Sequence, residues 1–387
     1  MRAKHNSQKG AVSIFIVVFA AILIVTITVA FVRIMITGQE QATANDLSTS
    51  ALDSAYAGVE DAKRLLVLHE KCLTDPAPAA SCSTINTAMT LDVNGSTKCT
   101  TLSDSGLVAA DGAEVILQTS DNDKLLDQAY TCVKITPDTK DYIASLKTDE
   151  SRLVPLKSKS VFSSIEIQWY SQKNFQDAQT PGSFTDVVLD TNSILPKKSS
   201  WSIFTPALMR LQFLKAGQSG FKLTDLENNT NNASLFLRPS SVGRNQGLSF
   251  SSDSRHTVAS PSILELITCV TPARGYACSA KIGLVGSVQP GDTAFLRVVP
   301  IYNTKPVTFR VCLGSCSEDD NVLFDGVQPK IDSTGRADDY FRRVESRVEF
   351  LPNNMPDIDA AVGVAGNLCK NFEVGDTVRD YVNYCTP

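Results

Sequence analysis

Histidine is scarce in this chain, and the familiar catalytic motifs are missing from it. Its 387 residues include three histidines, His5, His69 and His256. No serine or cysteine stands in a nucleophile-elbow pattern, and neither an H-E-x-x-H motif nor a Walker loop is present. These absences favour a protein that is not an enzyme. A membrane-tethered hydrolase with paired carboxylates stays open as an alternative, because such a pair cannot be recognised without a fold.

Charge is missing between Lys9 and Arg33, and no acidic residue precedes Glu40. The uncharged run is long enough to cross a bilayer as a helix, which takes about 20 apolar residues. Basic residues precede the run, so the positive-inside rule places the N-terminus in the cytoplasm and the rest outside. The sequence therefore predicts a basic leader at 1–10 and a transmembrane helix at 11–36. A cleaved signal peptide ending near Ala42-Thr43-Ala44 is the competing interpretation, but the apolar run exceeds the usual signal length of about 7–15 residues.

Proline is missing before Pro76, so nothing in the sequence stops the helix at the membrane surface. The pattern predicts an amphipathic extension at 37–70, in one helix about 90 Å long with the anchor. One face of this extension is small and apolar and carries Ala44, Leu47, Ala51, Ala55, Val59, Ala62 and Leu66. The opposite face carries Asp46, Asp53, Glu60, Lys63 and Arg64.

Cysteine is absent from the leader and the apolar run and frequent after them. An even number of cysteines on the exported side indicates disulfides, whose connectivity a sequence does not determine. Nearest-neighbour pairing is the simplest hypothesis: Cys72 with Cys82, Cys99 with Cys132, Cys269 with Cys278, Cys312 with Cys316, and Cys369 with Cys385. Zinc is a weaker alternative, because Cys269, Cys278, Cys312 and Cys316 lack paired C-x-x-C spacing.

The remainder of the chain has the pattern of a β-rich domain. From about residue 161, apolar and polar residues alternate, as in the IEIQWY segment from Ile165 to Tyr170. Strand candidates besides this segment are 183–189, 207–214, 233–239, 263–270, 277–285, 293–302, 307–313, 322–331 and 340–350, of which the last also fits a helical face. The predicted organisation is a loop-rich connection at 71–160 with a few strands and at most a short helix, followed by a β-rich head at 161–352 and a tail at 353–387 that contains Cys369 and Cys385. The head has two sheets divided near 240–262, unless that stretch is a flexible loop. The fold class is α+β, with a long N-terminal helix followed by a disulfide-containing extracytoplasmic head.

The charge pattern favours none of the common ligand classes. The formal net charge is −5, whereas nucleic-acid binding requires a basic face. Asp121-Asn122-Asp123 and Glu318 to Asn321 lack the twelve-residue calcium-loop layout, so solvated turns are expected there. The arginines Arg336, Arg342, Arg343 and Arg347 lie among acids and predict a solvated strand face with weak ion pairs, with an anion- or partner-binding surface as the weaker alternative. We therefore expect no metal, no cofactor and no nucleic-acid partner.

The N-terminal 70 residues resemble type IV pilin-like proteins. The basic leader, Gly10 and the segment AVSIFIVVFAAILIVTITVAFVRIMITG carry the resemblance, and Ser50-ALDSAYAGVEDAKRLL is most similar to PilX-type minor pilins. The resemblance implies that a prepilin peptidase cleaves between Gly10 and Ala11. It also implies that Ala11 becomes a methylated N-terminus, and that the partners are membrane lipid and other pilin-like subunits.

Two positions depart from the family pattern. Most pilins have phenylalanine at the first mature position and glutamate at the fifth, where this chain has Ala11 and Phe15. In the family, that glutamate neutralises the terminal amine of a neighbouring subunit inside an apolar bundle, where an unpaired charge is costly. Its absence favours a minor subunit at a tip or in a priming complex. The alternative is a single-span surface binding protein or adhesin that never enters a filament.

Overall fold

The computed structural model of this chain describes residues 9–349 except 76, 78, 113, 118–126, 148–149, 172–173, 175–200, 202–204, 217–221, 223, 226–229, 241–242, 251–263, 271–274 and 304. The described residues fall into two compact units. The first lies within Met1–Ile135 and Ile331–Ser346, and the second within Thr136–Lys330 and Arg347–Pro387. The second unit is thus almost entirely an insertion in the sequence of the first.

Three helices and fourteen strands occur in the described part of the chain. The helices are α1 (Lys9–Thr74), α2 (Ser81–Ala88) and α3 (Thr101–Asp104). The strands are β1 (Val115–Ile116), β2 (Gln128–Thr136), β3 (Asp141–Leu146), β4 (Arg152–Pro155), β5 (Phe162–Ser171), β6 (Leu208–Ala216), β7 (Asn232–Ser240), β8 (Leu248–Ser249), β9 (Leu264–Thr268), β10 (Tyr276–Val288), β11 (Thr293–Ile301), β12 (Val307–Leu313), β13 (Lys330–Ala337) and β14 (Tyr340–Arg347).

The first unit packs the second half of α1 against a four-stranded sheet in the order β1-β2-β13-β14. The predicted small apolar face of the helix is the buried one. Ala51, Ala55 and Ala62 are fully buried, whereas Asp53 and Glu60 on the opposite face are exposed. Burial of this stripe stabilises the helix, since most helical stability in proteins comes from packing an apolar face. The prediction of a single helix through the apolar run and its amphipathic extension is confirmed.

Small residues allow the helix and the sheet to approach closely. A Cβ atom added at Gly58 of α1 would lie 2.9 Å from a methyl carbon of Val133 on β2. A Cβ added at Gly335 of β13 would overlap the backbone oxygen of Ala51 and the backbone nitrogen of Ala55. The Tyr130 hydroxyl on β2 donates a hydrogen bond of 2.9 Å to Asp61 of the helix. This sheet therefore covers residues 51–62 of α1 so closely that there is no room for a side chain at Gly58 or Gly335.

The second unit is a β-sandwich of two five-stranded sheets around one apolar core. The sheet orders are β3-β12-β5-β10-β8 and β4-β11-β6-β7-β9. Most neighbouring strands are antiparallel, but β8 runs parallel to β10 and β9 runs parallel to β7. The core contains the fully buried Trp169 of the first sheet and Phe213 of the second. The Trp169 indole nitrogen donates a 2.9 Å hydrogen bond to the carbonyl of Ala207, which satisfies its only polar group.

The alternation in β5 explains why this segment is a central strand. Ile165, Ile167 and Trp169 are completely buried, and they pair with Ile282, Ala280 and Cys278 of β10. The intervening residues face away from this core, as the period of two in a pleated strand requires. Seven of the predicted strand candidates after Ser171 contain an observed strand at similar bounds, among them 207–214, 307–313 and 340–350.

Several predicted boundaries differ from the observed architecture. The connection at 71–160, predicted to be loop-rich with a few strands and at most a short helix, contains α2, α3 and the strands β1 to β4. The segment 322–331 forms one bridge, between Thr139 and Phe324, because the positive-φ Gly326 and then Pro329 interrupt a ladder before β13. The candidate strand at 183–189 and the tail at 353–387 lie outside the described residues.

The predicted division of the head near 240–262 is wrong. Strands from both sheets alternate along the chain, and β4, before that point, pairs with β11, after it. The hairpin strands β13 and β14, assigned by sequence to the head, belong to the sheet that covers α1. The physical reason is that strand order depends on partners far apart in sequence, and local periodicity carries no information about them.

Candidate anchoring and assembly helix

The first half of α1 presents an apolar surface that no described part of the chain covers. Large apolar side chains from Ile14 to Ile36 are exposed all around the helix, and Phe15 is 80% exposed. Burying one such side chain is worth roughly 1.5–3 kcal/mol. A helix with this many exposed apolar residues therefore needs an apolar environment, either lipid or other helices.

Polar groups within the apolar half are satisfied inside the helix itself. The Thr26 hydroxyl donates to the carbonyl of Leu23 at 2.9 Å, and the Thr28 hydroxyl donates to the carbonyl of Ile24 at 2.8 Å. A hydroxyl bonded within its own helix leaves no unmet donor in hydrocarbon. Among the described residues, α1 is the one helix long and apolar enough to cross a membrane. It therefore has the length and the composition of a membrane anchor.

The predicted processing residues lie at the start of this helix. Gly10 and Ala11 belong to the helical backbone of α1, and their proposed cleavage stays a prediction. Phe15, four positions after Ala11, offers no carboxylate where the pilin pattern has one. Arg33 is an exposed charge toward the end of the apolar segment, where its long side chain can reach polar surroundings.

Four disulfides link the described cysteines, and they are the pairs that nearest-neighbour pairing predicts. Cys72–Cys82 and Cys99–Cys132 lie in the first unit, and Cys269–Cys278 and Cys312–Cys316 lie in the second. Among the described residues, no cysteine is left unpaired, while Cys369 and Cys385 lie outside them. Disulfides of this number are typical of a compartment that oxidises thiols, as expected of an extracytoplasmic head.

The arginines near the C-terminal end of the described chain are held by acids, and in one case by a serine hydroxyl, from several parts of the sequence. Arg336 pairs with Glu114 and with Asp127, each at 2.7 Å, and these hydrogen bonds raise the pKa of its guanidinium. Arg343 pairs with Asp332, and Arg342 donates to the hydroxyl of Ser48 on α1 at 2.8 Å. Arg347 pairs with Asp141 at 2.8 Å. These contacts fix strands and connections in place.

The candidate metal ligands are not brought together. Among the residues described, no group of three or more His, Cys, Asp or Glu side chains could hold a metal ion. The acidic turn at Glu318 to Asn321 uses one carboxylate, that of Asp320, to accept a hydrogen bond from the backbone of Val322. His69 contacts Asn86 at 3.1 Å, and the acids at 121–123, like His5 and His256, lie outside the described residues.

A partly buried carboxylate that sequence reasoning missed holds a loop against the central strand β5. Glu166 of β5 accepts hydrogen bonds from the backbone nitrogen of Cys316 at 2.9 Å and from the hydroxyls of Ser279 and Ser315 at 2.8 and 3.0 Å. Gln168 adds a fourth at 2.7 Å. Burial raises the pKa of Glu166, but these hydrogen bonds outweigh it and hold the pKa below its ordinary value. The carboxylate thus ties the Cys312–Cys316 loop to the strand; its only signal in the sequence was a glutamate on the polar side of an alternating strand.

Comparison with known proteins does not assign this chain to a family. No protein family, curated protein or solved structure is similar enough to this chain to count as a match.

Proposed function

We propose that this chain is a minor pilin-like structural subunit of a type IV pilus or a related filament. The observation that carries the proposal is the division of α1 into an exposed apolar half and a half buried on its own sheet. A subunit of this design is anchored by the first half and displays the folded domain attached to the second. The basic residues before the apolar run support a cytoplasmic N-terminus with both units outside.

The proposed mechanism is mechanical and does not involve catalysis. In the membrane, lipid covers the side chains from Ile14 to Ile36. In a filament, the helices of neighbouring subunits take the place of lipid and cover the same side chains. Because lipid and neighbouring helices are both apolar, the helix can pass from one environment to the other without exposing its side chains to water.

Phe15 supports a minor position in the filament. Inside an apolar bundle, a terminal amine requires a nearby carboxylate, since an unpaired buried charge costs on the order of several kcal/mol. The exposed phenylalanine cannot neutralise the amine of a neighbour. The subunit therefore suits a tip or a priming complex, where that contact is not repeated.

Mass spectrometry of the mature N-terminus tests the processing step. Coexpression with a prepilin peptidase is expected to give a chain that begins at a methylated Ala11, and a peptidase with its active site disabled is expected to leave the leader on. An intact Met1 in both cultures, or a terminus near Ala44 in both, would contradict the proposal.

A second candidate function is a single-span adhesin that remains in the membrane. The sandwich inserted between β2 and β13 favours it, because this unit has its own core and is larger than the sheet beside α1. Cysteines introduced singly at Phe15, Ile24 and Phe31 separate the two functions. Crosslinks to other pilin-like subunits support the filament, whereas reaction with lipid alone at all three positions supports the adhesin.

A further inference from the structure

The turn between β13 and β14 lies beside the end of the apolar half of α1. The two strands are neighbours in the sheet, and Asp338 and Asp339 connect them. Asp338 has a φ of 50°, the left-handed conformation that tight hairpin turns require. Tyr340 and Phe341 follow the turn directly and are 39% and 57% exposed.

Contacts within the first unit fix the height of this turn along the helix. Tyr340 lines a shallow groove of about 380 Å³ with residues of α1 from Ile36 to Leu47, among them Gln39 and Glu40. Ser48, the next residue of the helix, accepts the 2.8 Å hydrogen bond from Arg342. Tyr340 therefore lies at the level of residues 36–47 of α1, and Phe341 follows it in the strand.

The end of this groove nearest the apolar half of α1 falls in the headgroup layer of a bilayer crossed by the helix. If the hydrocarbon ends near Ile36, where the predicted transmembrane helix ends, Gln39 lies about 5 Å and Glu40 about 6 Å beyond its edge, at 1.5 Å per residue. The headgroup layer is about 5–8 Å thick on each side. Tyrosine and other aromatic residues with a polar neighbour are enriched at this depth, where the ring is in contact with lipid and the polar groups stay hydrated.

We propose that Tyr340 and Phe341 form a second membrane contact, in which the β13–β14 turn rests in the phospholipid headgroup layer beside the anchor. The occupant of this surface is the lipid interface, because the surface is continuous with the apolar helix that the same lipid covers. This inference rests on the anchoring part of the proposed function and is independent of filament assembly. The turn would hold the first unit against the bilayer until the subunit is extracted.

The charges at the turn specify which lipid suits it. Asp338 and Asp339 stand at its tip, and Arg343 is already paired with Asp332. A carboxylate pair is repelled by an anionic surface. Zwitterionic phosphatidylcholine is therefore the appropriate probe.

Tryptophan fluorescence of the full chain in phosphatidylcholine nanodiscs tests the proposal. Tyr340→Trp and Phe341→Trp are each compared in lipid with brominated and with ordinary acyl chains, after subtraction of the parent protein, in which Trp169 and Trp201 are buried. Phe31→Trp reports the anchor itself. Tyr56→Trp is the matched control, because Tyr56 is 51% exposed on the same helix about 25 Å beyond Gln39.

The expected result is loss of emission in brominated lipid for Phe31→Trp, a smaller loss with a blue shift for the two turn variants, and no change for Tyr56→Trp. The proposal is overturned if the turn variants behave like Tyr56→Trp while Phe31→Trp is quenched. A blue shift at Tyr340→Trp without any effect of bromine would also overturn it, because it identifies a protein as the occupant. Absence of quenching at Phe31→Trp would refute the anchor as well, so the two failures are distinguishable.

Discussion

Gly58 is the residue at which α1 and its sheet come closest from the helix side. The side chains of Ser333, Val133 and Tyr130 surround the place where a Cβ atom would be. We expect Gly58→Ala to lower the free energy of unfolding by about 1–3 kcal/mol, because overpacking a tight core costs that much. The loss is expected even though alanine favours a helix over glycine by about 1 kcal/mol. Urea denaturation of the full chain in detergent measures it.

Gly38 supplies the matched control for this prediction. It lies in the same helix, but an added Cβ would meet nothing within 4 Å. Gly38→Ala is expected to leave the unfolding midpoint unchanged or to raise it. Equal effects of the two substitutions would show that helix propensity, and not contact with β2 and β13, determines the outcome.

Glu166 gives the sandwich a pH-dependent contribution to stability. Its folded pKa lies below the ordinary value, so its contribution is present above the unfolded pKa, near 4.5, and is lost as pH falls through the folded pKa. We expect Glu166→Gln to destabilise the chain by about 1–3 kcal/mol at pH 7, the usual range for hydrogen bonds to a charged group. Guanidinium denaturation at pH 7 and at pH 3 measures the difference. A destabilisation equally large at pH 3 would contradict the role of the ionised carboxylate.

At the scale of structural elements, the two disulfides of the first unit close chain segments of very different length. Cys99–Cys132 closes a separation of 33 residues onto β2, and Cys72–Cys82 closes a separation of 10 between α1 and α2. If a disulfide acts mainly on the unfolded chain, removing the longer closure is expected to cost about 1 kcal/mol more. Paired Cys→Ser variants and their denaturation midpoints measure this order.

Removal of a disulfide from the second unit is the control, because the Cys→Ser substitutions are the same and the length of the closed chain differs. Cys312–Cys316 closes a separation of 4 residues, so its removal is expected to cost the least by the same argument. If the Cys312 and Cys316 pair of substitutions proves the most destabilising, native-state contacts such as that of Cys316 with Glu166 outweigh loop closure.

The elements that local sequence determines were predictable, and their assembly was not. The absence of proline and the alanine stripe predict α1, and alternation around Trp169 predicts β5. The partners of Arg336, by contrast, are Glu114 and Asp127, more than 200 positions earlier in the chain. Nearby acids in the sequence suggest local pairs, and Asp332 with Arg343 is such a pair. Strand order failed for the same reason, because pairing of β4 with β11 has no local signal.

The candidate site was likewise predictable only in part. The apolar run predicts the anchor, since its residues act through composition alone. The turn at Tyr340 could not be located from sequence, because its height on α1 depends on the register of β13 and β14 beside the helix. Glu166 was equally hidden, since three of its four donors come from other strands or loops or from the backbone.

For the whole molecule, the presence of a separate core in each unit predicts that a substitution in one unit changes amide exchange in that unit alone. Gly58→Ala is expected to increase amide exchange in peptides from β2 and 331–337 and to leave β5 and β10 unchanged, because each unit buries its own core. Glu166→Gln is expected to give the reverse pattern. Hydrogen exchange followed by mass spectrometry of the full chain measures both. An increase spread over both units in either variant would show that they open together.

The insertion between β2 and β13 separates two neighbouring strands of the first unit by a long stretch of chain. Lys330 comes 194 positions after Thr136, yet these residues belong to strands that are neighbours in one sheet. As the polypeptide is synthesised from its N-terminus, Ala51 and Ala55 cannot be covered by β13 until Gly335 has been added. A polypeptide that ends anywhere before Ile331 keeps an unshielded helix face, which is a feature that proteases and chaperones recognise. Only a chain that has reached β13 hides that face, so the shielding of the helix depends on synthesis of both segments of the first unit.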